Sequence, residues 1–160
     1  MADGVYRVAV VTPEERLVDA DARSVVLRSS DGDLTVLDGH TPLVTDVVPG
    51  VVRIEPEEGD EIRLAVHGGY LQVETGAAEE GGPRSTRVTL LAGVAELAEQ
   101  VDTERAERAK EQAAARVDEL KSAGRATGDV DGQPEDPELA EAEASLRRAE
   151  VRLEVVGADG

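Results

Sequence analysis

Only two side chains in this 160-residue sequence have an ordinary pKa near neutrality, His40 and His67, so any acid–base or metal chemistry is sought there first. His40 sits in the turn Gly39-His40-Thr41-Pro42, inside the stretch "DGDLTVLDGHTPLVTDVVPGVVRI" from Asp31 to Ile54. His67 opens "VHGGY", Val66 to Tyr70. The two are 27 residues apart, and neither has a His, Asp or Glu at a recognisable ligand spacing. Nucleophilic hydrolysis needs an activated serine or thiol, yet the chain carries no Gly-x-Ser-x-Gly elbow and no cysteine. A Gly-x-x-x-x-Gly-Lys phosphate cradle is absent as well. Gly68 and Gly69 share a glycine pair with esterase oxyanion loops, but without an elbow they are read as a tight reversal between two strands. With 35 Asp and Glu residues, no chosen pair of carboxylates is informative about acid and base roles. The expectation is a protein that is not an enzyme and has neither a metal nor a catalytic cofactor.

Composition narrows the partners. The formal charge of −18 opposes binding to nucleic acid or to anionic lipid headgroups, both of which need a basic face. Up to Val101 there are 8 basic and 19 acidic residues, and beyond it 9 and 16, so the acidity covers both halves rather than forming a tail. Tyr6 and Tyr70 are the only aromatic residues, which leaves a core to be built from Val, Leu, Ile and Ala and argues against base stacking. No stretch resembles a secretory signal or approaches the roughly 18 apolar residues of a membrane span.

The positioning elements change character along the chain. From Val5 to Leu91, short Val/Leu/Ile runs are bounded by Gly, Pro and Asp. Strands are predicted at Val5–Thr12, Arg16–Asp19, Ser24–Ser29, Leu34–Leu37, Leu43–Val47, Val51–Glu55, Glu61–His67, Tyr70–Glu74 and Arg87–Leu91. Many short strands at this spacing, about ten over residues 1–92, predict a β-sandwich or a barrel. Thr75–Ser85 reads as a loop.

Residues 93–160 then carry a helical period. Ala106, Ala109, Ala113, Val117 and Leu120 form one stripe, and Leu139, Ala142, Leu146, Ala149 and Leu153 another. Helices are predicted over 102–123, capped by Asp102 with Gly124 beyond its end, and over 137–155, capped by Asp136 with Pro137 in the first turn. The polar linker Gly124–Asp136 is long enough to reverse the chain, so the pair should form an antiparallel two-helix hairpin. Its alanine-rich stripes bury little area and predict a marginal element, one that a ligand or partner can switch.

In order and spacing, "VVTPEERLVDADARSVVL", the Asp31–Ile54 stretch, "LAVHGGYLQV", "RVTLLAGVAELAEQVDTERA" and "ASLRRAEVRLEV" together resemble the epsilon subunit of the bacterial F-type ATP synthase. The resemblance runs nearly end to end. It implies a β-sandwich plus helical hairpin, and a non-catalytic rotor subunit of the central stalk that binds the gamma subunit and the c-ring. It further implies coupling of proton flow to rotation, and restraint of ATP hydrolysis when the hairpin extends towards the alpha and beta catalytic subunits. Location at the cytoplasmic face of the cell membrane, through the complex, is implied too.

Residue by residue, the resemblance implies a gamma and c-ring interface at Asp33, Gly39, His40, Thr41 and Pro42, with Thr35 and Asp38 standing where the family usually has glycine and proline. Physically, Pro42 fixes its own φ and restricts Thr41, making the turn rigid in advance. "VDTERA", Val101 to Ala106, resembles a motif that binds ATP as a regulatory ligand in some members. It implies a site of Glu96, Val101, Asp102, Arg105 and Ala106, with Arg148 and Arg152 for the phosphates, while Gln112 replaces a further arginine. Asp102 and Arg105 make equal sense as a helix cap and an exposed first-turn residue, and Arg148 and Arg152 as a solvated face. A free-standing nucleotide-responsive sensor or adaptor of the same architecture is the alternative.

Overall fold

A computed structural model describes residues 4–76, 85–125 and 136–157. The chain divides into two compact units, Met1–Gln100 and Val101–Gly160. The first contains nine strands among its described residues: β1 Tyr6–Val11, β2 Arg16–Ser29, β3 Gly32–Leu37, β4 Leu43–Val47, β5 Gly50–Pro56, β6 Ile62–Val66, β7 Gly69–Thr75, β8 Thr86–Ala92 and β9 Ala95–Leu97. They follow the order β4-β7-β8-β1-β2-β5-β6-β9, with β3 paired to β2. All these pairings are antiparallel except β1 with β8.

Alternation makes the core. Tyr6, Val8 and Val10 on β1, Leu71 and Val73 on β7, and Val88 and Leu90 on β8 share one cluster with Val25 and Leu27 of β2, Val52 and Ile54 of β5, and Leu64 and Val66 of β6. The two halves of the sheet path thus close on one aromatic-poor core, a β-sandwich as expected. Tyr6 spans it: its buried hydroxyl donates to the Val36 carbonyl of β3 at 2.6 Å, and burial raises its pKa.

Strand β2 corrects the predicted break between Asp19 and Ser24. The chain runs through "ADAR" without leaving the sheet, because Ala22 is fully buried opposite Tyr6 and the backbone stays paired to β1. An irregularity between Ala22 and Ser24 moves the buried positions from Val18 and Ala22 to Val25 and Leu27. Such a bulge bends the strand, so β2 serves both halves of the sheet.

Two further corrections concern connections. β6 and β7 are not neighbours, since β6 pairs β5 and β9 while β7 pairs β4 and β8, so Gly68 and Gly69 carry the chain across rather than around a hairpin. Gly69 has φ +154°, and a Cβ there would lie 2.1 Å from the Leu91 carbonyl oxygen, so close strand approach demands glycine. Second, Ala95–Leu97 adds an unpredicted edge strand to β6, which puts the unit boundary after Gln100 rather than after Ala92.

The second unit holds α1, Thr103–Ser122, and α2, Pro137–Gly157. Asp102 N-caps α1 by accepting from the Arg105 amide at 3.0 Å. Its C-terminus closes with Gly124 N–H to Lys121 O and Arg125 N–H to Leu120 O, the bond pair of a Schellman motif. Asp136 accepts from the amides of Glu138 and Leu139 at 3.0 and 3.3 Å, capping α2. Val117, Leu120, Leu139 and Ala142 form the hairpin core with Leu146 against it. Arg125 pairs with Asp136, tying the end of α1 to the start of α2, and this core joins the last turns of α1 to the first half of α2, so the helices run antiparallel; Arg116–Glu138 at 3.4 Å and Lys121–Glu143 at 3.3 Å cross between them. On α2, Val151 and Val155 are fully buried while Leu153 of the predicted stripe is only partly so. Residues 77–84 and 126–135, most of the two predicted loops, lie outside the described residues.

Candidate docking turn and hairpin site

Pro42 and the positive φ of Gly39, +78°, bracket the turn that carries His40. The His40 amide donates to the Leu37 carbonyl at 3.1 Å, closing the turn as β3 ends. The ring Nδ1 lies 2.8 Å from the Thr41 carbonyl. A carbonyl only accepts, so Nδ1 carries the proton in that bond and the neutral ring keeps Nε2 as its acceptor. Thr41 and Pro42 are exposed and His40 half-buried, so the turn lies at the surface.

Two threonines from elsewhere hold this turn. Thr75 Oγ1 donates to the His40 carbonyl at 2.8 Å, and the Gly39 amide donates to Thr86 Oγ1 at 2.8 Å. Thr75 and Thr86 are directly paired across β7 and β8, and Thr86 is one of two buried polar residues among those described. Sequence reasoning missed both. The only local signal is a polar residue at an inward position of a strand, and its partner lies 47 residues away.

Asp33 belongs to a different place. It lies near the start of β3 while His40 follows its end, and at about 3.3 Å per residue the two are separated by roughly 20 Å of chain. The Arg28 guanidinium, directly opposite on β2, binds Asp33 at 2.8 Å and holds its carboxyl below the usual range. Beside it, Ser30 donates to Asp46 at 2.7 Å and the Val48 amide to the Arg28 carbonyl at 3.1 Å, joining the β2–β3 and β4–β5 connections at one end of the sandwich. The predicted interface residues therefore form two groups, not one.

The hairpin residues divide similarly. One oxygen of Asp102 is engaged as the cap of α1, and Arg105 is exposed one turn on. Counted in equal steps from the Arg125–Asp136 pair, Arg105 lies near the level of Val156, so Arg152 is roughly 6 Å and Arg148 roughly 12 Å away along the axis at about 1.5 Å per residue. Arg148 binds Glu141 at 2.8 Å and also Ser145 Oγ at 2.8 Å. Glu141 is held below the ordinary carboxylate range by Arg148 first and the Ser145 hydroxyl second. Ala106 is buried and Val101 half-buried. Glu96 stands in the first unit on β9, its carboxylate 3.4 Å from Nε2 of His67, whose side chain is 3% exposed. Sequence spacing hid this His–Glu contact because β9 was not foreseen. Among the described residues no group of three His, Cys, Asp or Glu could hold a metal ion, and no helix is long and apolar enough to cross a membrane.

Comparison with known proteins places this geometry. Residues 5–79 match the family model described as ATP synthase, Delta/Epsilon chain, beta-sandwich domain. The ATP synthase epsilon chain of Moorella thermoacetica is 38% identical over 149 residues, 93% of this chain and 94% of that one. That of Bacillus velezensis is 36% identical over 151 residues, covering 94% and 96%. That of Desulforudis audaxviator reaches 41% over 117 residues, 73% and 77%. Among solved structures, a chain of the Euglena gracilis mitochondrial ATP synthase shares the fold at a TM-score of 0.67 with 21% identity, over 95% of this chain and 83% of that one. A chain of the Tetrahymena thermophila mitochondrial ATP synthase central stalk and c-ring reaches 0.51 at 9% identity, over 98% and 99%.

Proposed function

The chain belongs to the ATP synthase epsilon chain family, and on that premise we propose that it is a non-catalytic rotor subunit of the central stalk. In this reading the sandwich binds the gamma subunit and the c-ring, helping couple proton flow to ATP synthesis, and the hairpin restrains ATP hydrolysis by extending towards the alpha and beta subunits. The subunit is then peripheral, held at the cytoplasmic face of the cell membrane by the complex. What carries the reading is the near full-length likeness to bacterial epsilon chains, which spans both units.

The residues supply a physical rationale. Asp33 and Arg28 on paired strands, and Thr41 and Pro42 in the turn between β3 and β4, are exposed and held by the sheet, so partners can bind them with little ordering cost. The hairpin core is built on few large side chains, so its packing is weak enough to be exchanged for contacts elsewhere. Calorimetry with the cognate gamma subunit tests the first half: stoichiometric binding that weakens on His40→Ala is expected, and no binding at all refutes the reading. Deleting residues 102–160 should preserve gamma binding and raise hydrolysis by the reconstituted enzyme; unchanged hydrolysis refutes the restraint.

A regulatory ATP site is the second part of the proposal, favoured by the antiparallel pairing that brings the start of α1, with Arg105, towards the last turns of α2. Val101, Asp102, Arg105 and Ala106 would meet the base and ribose, and Arg148 and Arg152 the phosphates. Arg148 must then exchange Glu141 for a phosphate, which lowers affinity. Small-angle scattering during titration to millimolar ATP should show compaction, and its absence removes this part alone.

A further inference from the structure

We propose that Thr75 and Thr86 are positioning residues for the docking turn, so that recognition of the partner at His40 depends on the hairpin formed by β7 and β8. The inference rests on the reading of Gly39–Pro42 as a docking edge, and goes beyond it by assigning the turn's geometry to two residues outside it.

The turn is local in sequence, but its own bonds leave its orientation open. Within the turn, the Leu37–His40 backbone bond and the His40–Thr41 contact close the loop without tying it to anything else. The threonines supply that tie. Thr86 Oγ1 accepts from the Gly39 N–H, and Thr75 Oγ1 donates to the next residue's carbonyl, both at 2.8 Å. They therefore grip the backbone on both sides of the His40 Cα, from opposite members of one cross-strand pair. Backbone groups held from two strands lose the freedom to rotate about Gly39, the residue with the greatest freedom to do so. Thr86 is 4% exposed, so its hydroxyl is placed by packing rather than by solvent. The consequence for binding is preorganisation: the partner meets His40, Thr41 and Pro42 already in one conformation.

Isosteric replacement separates this role from packing. In Thr86→Val, exchange of the Gly39 amide should accelerate about tenfold, and the dissociation constant for the cognate gamma subunit should rise about five- to tenfold, the worth of one hydrogen bond to a partly buried backbone group. Thr86→Ser, which keeps the hydroxyl, should restore both, and Thr75→Val should weaken gamma binding similarly. Exchange at Gly39 unchanged in Thr86→Val, or Thr86→Ser no better than Thr86→Val, overturns the inference. So does wild-type gamma affinity in both valine variants when His40→Ala weakens binding, an outcome that leaves the docking edge standing. If His40→Ala itself binds gamma as tightly as wild type, the docking reading fails and takes this inference with it.

Discussion

Truncating Leu139 should loosen the helical hairpin while leaving the sandwich intact. Leu139 is fully buried and meets Val117, Leu120, Ala142 and Leu146, three of them aliphatic side chains large enough to line a void. Leu139→Ala removes three carbons, about 2.4 kcal/mol of transfer free energy at ~0.8 kcal/mol each, and the cavity raises the cost to about 3 kcal/mol or more. The hairpin has few other large buried side chains with which to absorb that loss. An opening equilibrium shifted by about 3 kcal/mol accelerates amide exchange on the order of a hundredfold. Hydrogen exchange followed by mass spectrometry should show that acceleration in peptides from 103–122 and 137–157, with peptides from β1, β2 and β8 unchanged. Leu139→Met, which conserves volume, should stay close to wild type. Helix peptides that exchange as slowly as in the wild type, or strand peptides accelerated equally, would falsify the account of a separate and marginal unit.

Two other outcomes follow from the same geometry. Gly69→Ala forces a Cβ to 2.1 Å from the Leu91 carbonyl at a φ that favours glycine, and should cost the sandwich about 3 kcal/mol or more; a urea midpoint within error of wild type refutes this. Asp136 is held below the usual carboxylate range chiefly by Arg125, helped by the Leu139 and Glu138 amides. Its folded pKa lies below its unfolded one, so its stabilisation is complete above about pH 4 and is lost as pH falls through the folded value. The helicity difference between wild type and Asp136→Ala should therefore narrow in acid, and a gap that does not change between pH 7 and pH 2 contradicts the assignment.

Periodicity in the sequence determined the element types and the caps. A buried face must repeat every two residues on a strand and about every 3.6 on a helix, so Tyr6, Val8 and Val10, and Val117 and Leu120, are legible without coordinates. Asp102 and Asp136 are legible too, because a cap bonds amides two or three residues away. Order and spacing of five segments likewise carried the resemblance to the epsilon chain family, which the relatives' identity over nearly the full length established.

Tertiary structure alone decided which distant residues meet. β2 runs unbroken through Asp21 because pairing to β1 outweighs the poor strand preference of Asp and Ala there. β9 forms because a free edge of β6 accepts it, and it carries Glu96 to His67. The Gly39–Pro42 turn shows the limit most clearly. Gly39 and Pro42 announce a bend, but Asp33 is taken from it by the length of β3, and Thr75 and Thr86 are brought to it by the pairing of β7 with β8. Hydrogen bonds across tens of residues leave no period in the chain, and only the register of the folded sheet creates them.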